Sequence, residues 1–333
     1  MSRIKNLICF DLEGPLAPQD NAYELMKSIP DGGRVFEVIS RYDDLVTLEG
    51  KEGYEPGDTL ALIVPFLVLH NITEDNITTL ADQANLTGGA ADLVAWLKSR
   101  DWAVFCISTS YEQYAHRITQ RVGIPLDNVA CTSLPLDRLN AMLCKDDARL
   151  LEQAEKEMLT MEPETGDDRI KQRLDRFFRH ELPGTSLGKL IEEVKPRGGR
   201  RKVAALETFA GAYAQPLSGW VVVGDSITDY RMLNAVEQAG GLAIAFNSNE
   251  YALPYATAGL ASTFISDMTA ILEAWEKGQR GEVEKLIKEK EKGGGKEDRN
   301  YFHWLSGRKD INEIINIHKY MRRLARGEAG KLG

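Results

Sequence analysis

Cysteine is scarce in this 333-residue chain: Cys9, Cys106, Cys131 and Cys144 are all of it, and no two stand at a CxxC spacing. A disulfide scaffold and a thiolate zinc site are excluded as organising devices. Cys9 and Cys106 fall in strand-like apolar runs, which predicts buried thiols in a reducing, cytoplasmic setting. The histidines His70, His116, His180, His303 and His318 show no HxH or HExxH spacing, which leaves them packing or surface roles. Long apolar runs are missing too. The longest, Leu60–Leu69, contains Pro65, is too short to span a bilayer and reads as a buried helix, so no membrane partner is expected. Basic charge is in deficit, 41 Lys and Arg against 50 Asp and Glu for a net −9, which argues against a nucleic-acid partner. No leader is visible, since Met1–Asn6 runs straight into an apolar strand and its aspartate.

What is present is ordinary globular composition, 43% apolar and 27% charged, enough for one main domain with additions. Leu7–Phe10 is wholly apolar, as a central parallel strand would be. Ala103–Ile107, Asn128–Thr132, Trp220–Val223 and Leu242–Phe246 read as further strands, with Thr263–Ile265 as a last short one. Helical periodicity runs through Gly88–Arg100, Tyr111–Val122, Lys202–Tyr213 and Arg231–Ala239. This alternation predicts an α/β class fold with a doubly wound parallel sheet. Residues 1–13, 86–136 and 186–280 form that core. Residues 14–85 form an inserted helical unit, 137–185 a second, charged one, and 281–333 a helical extension. Lys288–Lys296, with its Gly293–Gly295 run, reads as a flexible break, and Ile311–Arg326 as a basic amphipathic helix that docks on the core or on a partner.

Two segments carry the chemistry. Each is an apolar strand that stops at carboxylates, and in open α/β sheets that edge is where ligands bind. In the first, Asp11 can attack phosphorus, and Glu13 can protonate the leaving oxygen and then deprotonate water. In the second, Gly224-Asp225-Ser226-Ile227-Thr228-Asp229, Asp225 is positioned to share Mg2+ with Asp11, with the backbone carbonyl of Glu13 as a third ligand. Gly224 permits close chain approach, and Asp229 is suited to hold a lysine or a metal-bound water. Ser108 and Thr109 follow the strand at Ala103–Ile107, where hydroxyls and backbone N–H groups opening a helix make an anion cradle. Lys202, at a helix start, can neutralise phosphoryl oxygens and keep Asp11 ionised; Lys189, Lys195 and Arg200 compete for that role. In the first insertion Arg34, Arg41, Tyr42 and Tyr54 are candidates to meet a substrate's polar end.

The ordered series strand-Asp-x-acid, strand-Ser, Lys, strand-Gly-Asp-x-x-x-Asp resembles that of the haloacid dehalogenase-like (HAD) phosphohydrolases, over residues 7–13, 86–132 and 186–266. The resemblance implies an Asp11 nucleophile, a Glu13 acid/base, phosphoryl contacts from Ser108 and Lys202, and Mg2+ on Asp11, Asp225 and the Glu13 carbonyl. It also implies that the insertion after the first motif is a helical C1-type cap and the core a HAD-like Rossmannoid sheet. AspLeuGluGly-x-Leu, Leu86–Tyr114 and GlyAspSer-x-x-Asp are similar to the branch holding phosphoserine phosphatase/homoserine phosphotransferase, where Glu also stands for the second Asp. The chain departs from that branch at the 137–181 insertion, the lysine position and the C-terminal extension. These additions are similar to those of an archaeal group labelled energy-converting hydrogenase subunit R.

The expectation is a Mg2+-dependent phosphomonoester phosphatase working through an aspartyl phosphate on a small phosphorylated metabolite. The alternatives are a phosphotransferase to a small alcohol, and a regulatory subunit on a HAD scaffold. The C-terminal helices offer a surface for a second copy or a protein partner. A haloalkanoate dehalogenase is disfavoured, because that reaction needs no metal ligand of the Asp225 type.

Overall fold

The computed structural model describes residues 6–161, 166–292 and 300–327. At its centre is one seven-stranded sheet ordered β3-β2-β1-β4-β5-β6-β7. The strands are β1 (Asn6–Phe10), β2 (Trp102–Tyr111), β3 (Val129–Thr132), β4 (Trp220–Gly224), β5 (Leu242–Phe246), β6 (Ala258–Ala261) and β7 (Tyr301–Trp304). All neighbours run parallel except β7, which is antiparallel to β6. β1, β2, β4 and β5 are buried at every position. Helices cover both faces of such a sheet, so these strands are continuously apolar rather than alternating.

β1 sits where the order reverses, with Phe10 level with Cys106 on one side and Val223 on the other. The Asp11 N–H then donates to Val223 O at 2.8 Å. Pairing therefore holds to the very end of β1, and the chain ends carrying Asp11 and Asp225 emerge side by side at the switch point of the sheet.

Helices α1 (Asn21–Lys27), α2 (Gly32–Leu48), α3 (Thr59–Leu69) and α4 (Glu74–Gln83) follow β1. α2 buries Val35, Phe36, Ile39, Tyr42 and Val46, a stripe at helical spacing. α3 is apolar nearly all round and mostly buried, as the central helix of its unit. Next come α5 (Ala90–Ser99), α6 (Glu112–Val122), α7 (Leu136–Met142), α8 (Lys145–Leu159), α9 (Asp167–Arg176) and α10 (Ser186–Ile191). α8 and α9 pack on the helices that follow β1, so the two insertions make one helical layer. Arg41 Nε and Nη2 hold Asp167 at 3.0 and 2.7 Å, and His70 Nε2 lies 2.7 Å from Glu155. Tyr42 stacks on Phe178 with centroids 5.6 Å apart. The remaining helices are α11 (Arg200–Ala212), α12 (Tyr230–Ala239), α13 (Thr269–Lys292), which kinks at Gly278–Gln279, and α14 (Asn312–Arg326). Among the described residues no single helix is long and apolar enough to cross a membrane.

Four sequence readings need correction. The last parallel strand is Ala258–Ala261, not Thr263–Ile265; Phe264 makes only an isolated bridge to Gly88. Alanine and glycine carry little strand signal, yet their small size lets His318 of α14 approach Gly259, where a Cβ would sit 2.8 Å from its ring. The C-terminal extension is not wholly helical, because β7 adds an edge strand. β2 continues through Ser108 and Thr109 to Tyr111, and the helix opens only at Glu112. Lys288–Lys292 closes α13 rather than opening a break, while Gly293–Gly295 lies outside the described residues.

Candidate active site

The end of β1 turns sharply. Leu16 and Ala17 N–H donate to Leu12 O at 2.9 Å, and Gly14 N–H donates to Ala17 O at 2.7 Å. Thr87, at the far end of the inserted unit, ties this turn down by donating from Oγ1 to Gly14 O at 2.8 Å. Gly14 has φ +95°, and a Cβ there would lie 2.4 Å from Asp225 Oδ2. Glycine thus lets the turn after β1 close against the carboxylate after β4.

Beneath that junction Lys202 Nζ donates to Asp11 Oδ1 at 2.7 Å and to Asp229 Oδ1 at 2.6 Å. Its side chain has no solvent exposure. The rivals Lys189, Lys195 and Arg200 are exposed. Burial disfavours the Lys202 ammonium, but Asp11 and Asp229 outweigh it and raise its pKa. Burial and the Asp229 charge push the Asp11 carboxyl upward, and Lys202 opposes them. Asp229 Oδ2 in turn accepts from the Asp225 and Ser226 N–H groups at 3.0 and 3.1 Å. Gly224 makes this loop possible, since a Cβ on it would meet the Asp229 Cβ at 2.6 Å.

Asp11, Asp225 and Asp229 can each bring one carboxylate oxygen within 4.8 Å of the others, and all three are buried. Hard oxygen donors crowded in this way suit Mg2+, which takes octahedral oxygen ligands. Asp11 and Asp225 open onto the cavity over the site and Asp229 does not, so Asp11 and Asp225 are the side chains fitted to hold the cation.

Glu13 accepts from the Asn21 N–H at 2.7 Å. Its pKa is raised to about 7, chiefly by burial and then by Asp20, against the Asn21 N–H, Arg326 and Ser110. A carboxyl titrating near neutrality can both give and take a proton.

A cavity of about 220 Å³ opens over these groups, lined at its base by Asp11, Glu13, Thr109 and Asp225 and toward α2 by Phe36, Asp43 and Asp44. Thr109 reaches this space, whereas Ser108 is wholly buried and does not line it. The Ser108 hydroxyl accepts from the Ser110 N–H at 3.0 Å. Of the candidates on the first insertion only Arg41 touches the cavity. Arg34 donates to Leu159 O at 3.1 Å and Tyr42 to Asp175 at 2.8 Å, which links α2 to α8 and α9, and Tyr54 donates to Asp43, which ties the loop after α2 back to that helix.

Two residues that the sequence reading missed enter the site from α14. Arg322 and Arg326 both donate to Asp225 Oδ2, Arg326 at 2.7 Å. Their spacing held the signal: His318, Arg322 and Arg326 recur every four residues on the face that buries Ile314 and Met321. Asp20, Asp43, Asp44 and Tyr251 also line the cavity without having been singled out.

Two phosphoserine phosphatases, one an apo form and one a phospho-aspartyl intermediate analogue, share this architecture. They are 17% and 18% identical, with 80% of this chain and 98% of theirs covered and TM-scores of 0.51 and 0.52. The fold is that of the haloacid dehalogenase-like phosphohydrolases. A solved gene product of Archaeoglobus fulgidus is similar over 99% of both chains, at 29% identity and a TM-score of 0.84. The insertions and the C-terminal extension of this chain therefore have counterparts there. Neither a protein-family model nor a curated protein matches the sequence.

Proposed function

We propose that this chain is a Mg2+-dependent phosphomonoester phosphatase acting on a small metabolite through an aspartyl phosphate on Asp11. The observation that carries the reading is the Lys202 ammonium bridging Asp11 and Asp229, each with a carboxylate oxygen within 4.8 Å of one from Asp225. An Asp11 oxygen attacks phosphorus, the bond from phosphorus to the ester oxygen breaks, and Glu13 gives that oxygen its proton. Glu13 then takes a proton from water, whose oxygen attacks phosphorus and breaks the acyl phosphate, returning Asp11 and inorganic phosphate. Lys202 holds charge on the Asp11 side throughout. Thr109, which lines the cavity, would bind a phosphoryl oxygen. Asp11, Asp225 and the Glu13 carbonyl would hold Mg2+, which supplies neutralising charge for the phosphoryl group.

A panel of phosphomonoesters assayed with and without Mg2+, on the parent and on Asp11→Asn, tests this. Mg2+-dependent phosphate release that vanishes in Asp11→Asn is expected, and release that survives it would refute the nucleophile. Acceptor phosphorylation without stoichiometric phosphate would point to the phosphotransferase variant.

One observation favours a second reading, a regulatory subunit on a HAD scaffold: the contact of Arg322 and Arg326 with the Asp225 carboxylate. A stable co-purifying partner, with no turnover of any phosphomonoester, would select it.

A further inference from the structure

Arg322 and Arg326 have no task in the scheme above, yet they lie inside its acidic site with side chains only 4% and 5% exposed. Both guanidiniums donate to one oxygen, Asp225 Oδ2. Arg322 also reaches the Asp225 backbone oxygen at 3.3 Å, and Arg326 Nε reaches Pro18 O at 2.9 Å. Arginine stays charged at any working pH and is weakly hydrated, so it can enter a buried anionic site that lysine would resist. The helix bringing this pair is seated on the core. His318, one turn before Arg322, accepts from the Ser248 N–H at 3.1 Å, and Lys319 meets Glu250 at 2.6 Å. The arginines also line the cavity beside Glu13 and Asp20.

We propose that Arg322 and Arg326 compete with a divalent cation for the Asp225 carboxylate, so that seating of α14 and loading of the cation oppose each other. This rests on the reading of Asp225 as a metal ligand. Two guanidinium charges and a divalent cation gathered at one carboxylate repel strongly where water is scarce. Linkage then works in both directions. Cation binding loosens α14, and removing a guanidinium tightens the cation. The C-terminal extension is, in this view, a gate on the metal site rather than a passive cover.

Mn2+ serves as the probe, with free Mn2+ read by electron paramagnetic resonance and no turnover required. The full chain is compared with Arg322→Met, Arg326→Met, Arg326→Lys and Asp225→Asn, and amide exchange of residues 312–326 is followed in the parent. Expected are Mn2+ affinities at least about tenfold tighter in both methionine variants, an affinity between parent and methionine variant in Arg326→Lys, whose ammonium keeps the charge but enters the site less readily, and faster exchange of α14 when Mn2+ saturates the parent. Unchanged or weaker Mn2+ binding in folded methionine variants would overturn the proposal. So would loss of inorganic phosphate binding with Mn2+ affinity unaltered, which would make the arginines anion receptors. If the methionine variants do not fold, exchange in the parent decides, and α14 protection that Mn2+ leaves unchanged or raises refutes the coupling. Mn2+ binding equal in parent and Asp225→Asn would instead sink the metal reading itself. Binding lost in Asp225→Asn without gain in the arginine variants sinks the coupling alone.

Discussion

Lys202 Nζ stands 2.6 Å from Asp229 Oδ1, and neither side chain has any exposure to solvent. A second carboxylate, Asp11, lies 2.7 Å from the same ammonium. Removing one partner from a buried ionic group strands the others. Lys202→Met is expected to lower stability by about 3–5 kcal/mol and to abolish turnover. Adding Asp229→Asn removes one of the stranded charges and should restore part of the stability but not the activity. Urea unfolding of the two variants checks the first outcome, and a phosphomonoester assay the second.

Glu13 is poised near neutrality because its burial and the neighbouring Asp20 hold its pKa at about 7. Glu13→Gln keeps the shape and the Asn21 N–H contact and removes the proton. Turnover should fall by about 10²–10⁴, while binding of inorganic phosphate persists. The loss should be smaller for an aryl phosphate, whose leaving oxygen needs no proton, than for an alkyl phosphate. Rapid-quench measurement of protein-bound phosphate separates the two half-reactions, and turnover unchanged by the substitution would remove Glu13 from the role.

The acids were legible because each belongs to a local pattern. Residues 7–13 and 220–229 each show a buried strand running into carboxylates, and the parallel register of β1 against β4 does the rest. Lys202 was legible only through order along the chain, and its exposed rivals could be dismissed only in three dimensions. Ser108 looked like a phosphate ligand because β2 seemed to stop at Ile107; in fact the strand runs on to Tyr111 and turns that hydroxyl toward the Ser110 N–H. Ala258–Ala261 was unreadable because small residues there serve the close approach of His318, not strand propensity. Arg322 and Arg326 meet a carboxylate 97 and 101 residues away. No local pattern encodes such a contact, although arginine on an apolar helix stripe was a sign that the helix buries charge.

Gly14 supports the site through what it lacks. Its φ of +95° is strained for any L-residue, and a Cβ would fall 2.4 Å from Asp225 Oδ2. Gly14→Ala is therefore expected to lower the melting temperature and to weaken Mn2+ binding by about tenfold or more, as loss of outer-shell support commonly does. Gly50 provides the control, since its φ is +63° and nothing lies within 4 Å of its Cβ position. Gly50→Ala should show only the strain, roughly 1–2 kcal/mol, with Mn2+ affinity intact. Equal effects of the two substitutions on Mn2+ would mean that the Gly14 contact does not shape the site.

His303 and His318 meet beneath α14, with Nδ1 and Nε2 3.3 Å apart. Burial, with a smaller contribution from Arg308, pushes the His303 pKa down to about 4. Burial and His303 carry His318 well below its ordinary value. The unfolded chain takes up protons on both rings near pH 6.5, while the folded chain refuses them. The neutral pair's contribution is therefore fully present above about pH 6.5 and is lost as pH falls toward 4, at up to about 1.4 kcal/mol per pH unit for each ring. Glu13, raised to about 7, acts in the opposite direction as pH falls, so the histidine contribution is read as the difference in melting temperature between the parent and a variant lacking one ring, from pH 7 to pH 5. His303→Gln keeps a polar partner for His318 and removes one titrating ring, so its melting curve should decline less steeply over the same interval. A variant that tracks the parent at every pH would show that the protons responsible bind elsewhere.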